Sequence, residues 1–176
     1  MDYYQERGGE PVVMTLRMDS QVLRSLILCS SVLGIKYFVS VAATIIPNRL
    51  CGDIPPEDKP LWEKIFGKGI DKEAYKLLKD RFERVVRNDL ENIPIGLGLL
   101  WMAGLVTANA MPTPEGGPSP AAQSVIQLTQ VFTVSRLAHS LVFYTGTAYA
   151  RTFAFMGGFV SSLGAGCIAL QGLAGL

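Results

Sequence analysis

Four long apolar segments constrain this chain more than any other feature. They cover residues 25–46, 93–111, 121–145 and 153–174. A helix rises about 1.5 Å per residue, so about 20 residues cross a hydrocarbon core about 30 Å thick. The apolar residues are grouped in blocks rather than alternating with polar ones, and the mean hydropathy is +0.28. The sequence therefore predicts an all-α integral membrane protein, a bundle of four transmembrane helices, and disfavours a soluble domain.

Proline and polar residues set the expected helix boundaries. Pro47 lacks an N–H donor and is expected to end the first helix, and Asp71 is expected to cap the start of the second. The predicted helices cover about residues 21–47, 72–111, 121–147 and 152–175, with a polar loop at 48–71. We expect residues 1–176 to form a single membrane domain.

The basic residues are unevenly distributed, although the net charge is only +1. Ten of the 16 lysines and arginines lie between Arg49 and Arg87, whereas residues 109–120 contain none. By the positive-inside rule, the first loop is expected on the cytoplasmic side and both termini on the other side. The net charge itself says little about partners, and no nucleic-acid partner is expected. The three cysteines lack metal-site spacing, so no metal is expected.

Ionisable residues inside the apolar segments point to a buried site. Arg136 and His139 lie within 121–145, and Lys36 lies in the middle of the first segment. Charged side chains at that depth are costly and usually face a partner or a polar cavity. Lys36 is therefore expected to face the bundle interior and to bond a carbonyl or a carboxylate.

A second polar cluster lies where the second helix enters its apolar segment. Arg84, Arg87, Asn88 and Glu91 recur at three- and four-residue spacing, so they share one helix face. A ladder of ion pairs at the membrane surface, with Arg87 paired to Glu91, would also explain this cluster. A structural pair between Arg136 and Glu91 would likewise explain the buried arginine. The alternative is a charged ligand, since the planar guanidinium of arginine binds carboxylates bidentately.

Several motifs resemble those of the membrane-associated proteins in eicosanoid and glutathione metabolism (MAPEG). The run R-V-V-R-N-D-L-E-N-I-P, residues 84–94, resembles the helix-two signature of that family, and its N-D-L-E-N-I-P part is similar to microsomal glutathione transferases. R-L-A-H, residues 136–139, is similar to helix three of microsomal prostaglandin E synthase. P-E-D, residues 56–58, resembles a turn in the first loop of both. Arg151 falls where the family places its catalytic arginine.

The resemblance implies a homotrimer in the endoplasmic reticulum membrane that binds glutathione near each subunit interface. Arg84 and Arg87 would hold carboxylates, and Glu91 would hold the γ-glutamyl ammonium. The other residues expected to bind glutathione are Asn88, His139, Arg136, Phe143, Tyr144 and Arg49. Arg151 would stabilise the glutathione thiolate, with Asp58 and Thr152 as further catalytic candidates.

The implied activity is that of a glutathione transferase, with a possible additional glutathione peroxidase activity, acting on lipophilic electrophiles from the bilayer. Phe143 and Phe155 stand where prostaglandin E synthase has glutathione-contacting tyrosines, which disfavours isomerase activity but leaves it as an alternative. Non-catalytic lipid binding on the same fold is another alternative, and Arg151 argues against it. A small channel or transporter, with Arg136 and His139 as pathway residues, is less favoured because the sequence shows no inverted repeat.

Overall fold

The computed structural model describes residues 18–52, 54–66, 72–109 and 116–174, and these residues form helices and no strands. There are four long helices and two short ones. The elements are α1 (Ser20–Leu50), α2 (Lys59–Phe66), α3 (Lys72–Val106), a 3-10 turn (Thr107–Asn109), α4 (Pro120–Thr145) and α5 (Ala148–Ala174). The predicted all-α architecture is therefore confirmed.

Long helices that follow one another in the chain run antiparallel, and the four enclose a narrow core. On α1 and α3, Ser30 accepts a hydrogen bond from Trp101 Nε1 at 3.1 Å, and Lys36 pairs with Asp89. The residue number in these contacts rises along α1 while it falls along α3, so the two helices are antiparallel. The buried apolar side chains of the core include Leu26, Leu33, Leu100, Val125 and Phe132, which come from three of these helices.

Helix α1 continues through Pro47 to Leu50, so the expected end at Pro47 is wrong. A proline inside a helix forfeits one backbone hydrogen bond and crowds the preceding turn. Here Pro47 lies in the last turn of α1, where only a few backbone hydrogen bonds follow it. The end is closed instead by Cys51 N–H, which donates to the Pro47 carbonyl at 3.0 Å. This extension places Arg49 on α1 rather than in the loop.

The first loop contains a helix that was not predicted. Residues 48–71 were expected to be irregular, but α2 occupies Lys59–Phe66. Asp58 precedes it, and the Asp58 carbonyl accepts a hydrogen bond from Trp62 N–H at 3.0 Å, which closes the first turn. The expected cap at Asp71 lies outside the described residues.

The turn between α4 and α5 is short because Gly146 reverses the chain. Gly146 has φ +77° and ψ 16°, and its N–H bonds the Val142 and Phe143 carbonyls at 3.1 and 3.3 Å. Helix α5 then begins at Ala148, earlier than the expected 152. Arg151 therefore lies in the first turn of α5, where the backbone holds it, and not in the preceding loop.

Replacing Gly146 by alanine should lower the stability of the protein by about 1–2 kcal/mol. An L-residue with a Cβ atom pays roughly this amount in the left-handed conformation. The thermal unfolding midpoint in detergent would measure the loss. Gly98→Ala, within α3 and with no atom near its added Cβ, is the matched control and should be neutral or stabilising. Equal midpoints for the two variants would contradict the left-handed conformation of Gly146.

Three described helices are long and apolar enough to cross a membrane: Ser20–Leu50, Tyr75–Val106 and Ala148–Ala174. Helix α4 has 26 residues but is not among them. Its glutamines, with Arg136 and His139, lower its hydropathy. Length and hydropathy thus support three of the four predicted spans.

Polarity is distributed as expected for a membrane protein. Large apolar side chains on the outer surface, such as Phe38, Ile35 and Leu170, are 73, 65 and 68% exposed. The interior, in contrast, buries Arg136 and Asp89. Exposed apolar area on this scale marks a surface that contacts lipid or other subunits.

Candidate functional site

Arg136 is the centre of the polar interior and the largest fully buried side chain among the described residues, with 1% of its surface exposed. Its Nη1 donates to Asn88 Oδ1 of α3 at 3.2 Å, and its Nη2 donates to the Phe155 carbonyl of α5 at 3.5 Å. The guanidinium lies 5.5 Å from the Phe155 ring centre and 6.0 Å from that of Phe132. One arginine thus connects three helices.

A buried ion pair lies beside this arginine. Lys36 Nζ of α1 donates to Asp89 Oδ1 of α3, and the two side chains are 9 and 1% exposed. The expectation that Lys36 faces the interior and bonds a carboxylate is confirmed. The Asp89 carboxylate also attracts Arg136 electrostatically. Two cations share one carboxylate here, which leaves an excess of positive charge in the interior.

The predicted pair between Arg136 and Glu91 is not among the ion pairs of the described residues. Glu91 is exposed on the outer face of α3. It nevertheless borders the same cleft as Arg136, about 210 Å³ in volume, between α3, α4 and α5. Asn92 and Ser162 are the other polar residues of its walls, and the rest of the lining is apolar or glycine and includes Phe132, Phe159 and Leu163. The cleft therefore presents one cation and one carboxylate beside an apolar surface.

His139 and Arg151 share one aromatic neighbour, Phe143. His139 is 3% exposed, and its ring centre is 5.8 Å from that of Phe143 and 6.2 Å from that of Phe155. The guanidinium of Arg151 lies 4.9 Å from the Phe143 ring centre. Phe143 therefore bridges the buried histidine and the arginine at the start of α5.

The remaining predicted residues on α3, α4 and α5 are more peripheral. Arg84 and Arg87 are exposed. The Tyr144 ring packs on Phe82, with ring centres 4.7 Å apart. Thr152 is exposed, and its hydroxyl donates to the Ala148 carbonyl at 3.3 Å. Within one described chain these residues border the polar interior but do not enter it.

Arg49 and Asp58 form a separate ion pair at the end of α1. Arg49 Nη2 lies 3.4 Å from Asp58 Oδ2, with 26 and 51% of the side chains exposed. Arg49 Nη1 is buried and has no hydrogen-bond partner among the described residues. The structure thus joins two predicted site residues to each other, in a group apart from Arg136.

The comparison with known families follows from this geometry. The sequence profile of the MAPEG family matches residues 26–171, nearly the whole chain. The chain belongs to the MAPEG family. A search of curated proteins found no match. As a MAPEG member, the protein is a membrane protein of glutathione-related or eicosanoid metabolism, and the resemblance inferred from residues 84–94 is confirmed.

Sequence reasoning missed three parts of this MAPEG site. Asp89 was not recognised as the partner of Lys36, although it lies on the face of α3 opposite to Glu91 and therefore toward another helix. Phe155 was noted only as a substitution, but its carbonyl and ring both contact Arg136. Gly158 was noted only as a small residue. A Cβ atom there would lie 2.8 Å from Arg136 Nε, so the close approach requires glycine.

Proposed function

We propose that this MAPEG protein is a membrane-bound glutathione transferase that conjugates the glutathione thiolate to lipophilic electrophiles. The observation that carries the proposal is the buried guanidinium of Arg136. It lies in a polar interior with excess positive charge, next to a cleft that Glu91 borders. Glutathione is a net anion with two carboxylates and one ammonium group, so it complements a site with several arginines and one carboxylate.

The proposed binding residues divide into a buried and an exposed set. In the buried set, Arg136, Asn88 and His139 contact the ligand from α3 and α4, beside Phe143 and Tyr144. In the exposed set, Arg84 and Arg87 hold carboxylates, and Glu91 holds the γ-glutamyl ammonium. The half-buried Arg49 belongs to neither set and contributes its buried Nη1. Salt bridges that are shielded from water on ligand binding gain strength, because the local dielectric falls.

We further propose that the site is completed in a homotrimer. The Arg49–Asp58 pair lies apart from Arg136 within one chain, and Arg84, Arg87 and Glu91 are exposed there. A neighbouring subunit would supply the missing wall. Exposed apolar side chains such as Phe38 and Leu170 provide surface that such a neighbour can cover.

Four membrane spans form part of this proposal, in the endoplasmic reticulum with the first loop cytoplasmic. Helix α4 packs between spanning helices and is long enough, at about 39 Å, to cross with them. Its most polar side chains, Arg136 and His139, are buried in the bundle rather than exposed to lipid. Such burial allows a helix of modest hydropathy to lie in a membrane.

The proposed reaction begins with the thiolate of bound glutathione. A free thiol has a pKa of about 8.5, and only the thiolate is a strong nucleophile. Arg151 stabilises the thiolate by hydrogen bonding, and Asp58 and Thr152 assist at the edge of the site. The sulfur lone pair forms a bond to an electrophilic carbon, and the leaving group departs with the electron pair of its own bond. The apolar wall formed by Phe132, Phe159 and Leu163 can accept the electrophile from the bilayer.

Titration calorimetry and ultraviolet difference spectroscopy of the purified protein test this proposal. We expect saturable glutathione binding and a thiolate absorption band at neutral pH. S-methylglutathione is the control, since it should bind but give no band. Conjugation of an apolar aromatic electrophile should follow. Absence of both binding and band would overturn the proposal. Isomerisation of a prostaglandin endoperoxide without conjugation would replace it with the isomerase alternative.

A further inference from the structure

The ion pair between Lys36 and Asp89 is the strongest polar connection between α1 and α3, and no part of the proposed reaction uses it. Both side chains are almost fully buried. Desolvating two charges is costly, and hydrophobic residues of similar volume are often equally stabilising. The pair is therefore a weak explanation for stability alone, which raises the question of what else it does.

Asp89 connects Lys36 to the proposed glutathione site. Its Oδ1 is bonded to Lys36, whereas its Oδ2 is buried and has no hydrogen-bond partner among the described residues. The Asp89 carboxylate attracts the Arg136 guanidinium electrostatically. Arg136 Nε is likewise buried and has no hydrogen-bond partner in the described part of the chain. Arg136 is thus held by attraction to Asp89 and by its bonds to Asn88 and the Phe155 carbonyl.

Asn88 and Asp89 are consecutive on α3, so the rotation of one helix determines where both side chains lie. Consecutive helical residues differ by about 100° in direction. With Asp89 bonded to Lys36 of α1, Asn88 lies toward α4, where its Oδ1 accepts from Arg136. A rotation of α3 that released Asp89 would also move Asn88 away from the guanidinium.

We propose that Lys36 and Asp89 are positioning residues that hold Asn88 and Arg136 in the geometry that binds glutathione. This inference rests on the proposed function. The pair fixes the rotation of α3. Because Asp89 is already paired with Lys36, the anionic ligand compensates the remaining positive charge of Arg136. Loss of the pair should therefore weaken glutathione binding while leaving the thiolate chemistry at Arg151 unchanged.

The test compares Lys36→Met, Asp89→Asn and the neutral double variant with wild type. We expect the dissociation constant for glutathione to rise about tenfold or more in each, which is the effect of losing one good polar contact. Turnover at saturating glutathione should stay within about twofold, since the chemical step is untouched. Lys36→Arg, which keeps the charge, should restore most of the affinity. Lys76→Met, at a 66% exposed position on α3, the helix that carries Asp89, is the control.

The outcomes separate this inference from the proposed function. Wild-type protein that binds no glutathione would overturn both. Wild-type binding with unchanged affinity in the folded variants would overturn this inference alone. The double variant removes both charges of the pair together, and Arg136 keeps its bonds to Asn88 and the Phe155 carbonyl. It should therefore elute from size-exclusion chromatography like wild type. If the double variant fails to do so, the pair belongs to the fold and the positioning role is wrong.

Discussion

Arg151→Ala is expected to abolish the thiolate absorption band of bound glutathione at neutral pH and to lower turnover by about 10²–10³-fold. Removing one donor that stabilises developing negative charge has an effect of this size in enzymes. Without the guanidinium, the thiol pKa should return toward its ordinary value of about 8.5. Arg151 lies in the first turn of α5 and is only partly buried, and alanine is a good helix former. The variant should therefore fold and still bind glutathione.

Two further variants make this result specific. Arg151→Lys retains a positive charge but not the planar fork of donors, so turnover should fall between wild type and alanine. Arg24→Ala removes an exposed arginine near the opposite end of the bundle and should change neither the band nor turnover. A band of wild-type intensity in Arg151→Ala would rule out Arg151 as the thiolate stabiliser.

Gly158→Ala is expected to raise the dissociation constant for glutathione about tenfold or more. The added Cβ atom would lie 2.8 Å from Arg136 Nε and 2.9 Å from Nη2, so the guanidinium must move. That movement should break the hydrogen bond to Asn88 and leave the buried guanidinium charge poorly hydrogen-bonded. Overpacking of this kind typically costs about 1–3 kcal/mol in stability. Calorimetric titration and thermal unfolding in detergent would measure the two effects separately.

The same helix supplies the control. A Cβ atom at Gly166 would meet only the Leu99 methyl groups, at 3.6 and 4.0 Å, which is ordinary contact. Gly166→Ala should therefore keep wild-type affinity and gain slightly in stability through helix propensity. If Gly158→Ala folds and binds glutathione as tightly as wild type, the position of Arg136 does not control binding.

The local sequence was sufficient to locate the candidate site but not to pair its charges. Lys36 and Arg136 are cations in apolar segments, so each was expected to have a partner. Asp89 and Glu91 are only two residues apart, and both were available for that role. Their directions on α3 differ by about 200°, so which one is buried depends on which helices pack against each face. The structure buries Asp89 against α1 and leaves Glu91 exposed.

Helix boundaries show the same division. Pro47 and residues 48–71 carry strong local signals for a helix end and a loop, yet α1 continues to Leu50 and α2 forms within the loop. Residues 148–151 were expected to precede the last helix, but Gly146 turns the chain so tightly that α5 begins at Ala148. Even clear local preferences of this kind set helix ends only approximately, because tertiary context can override them.

By itself, the sequence determined the all-α membrane class, the MAPEG family and the presence of buried cations that require partners. These properties depend on composition and spacing along the chain, because any helix needs about 20 apolar residues to cross a bilayer and any charge within such a span needs a partner or a polar cavity. Only the tertiary structure decided that Asp89 pairs with Lys36, that Arg136 bonds Asn88 and the Phe155 carbonyl, and that Gly158 makes room for the guanidinium. Each of these contacts joins residues from different helices, and their distances depend on how the helices rotate and pack.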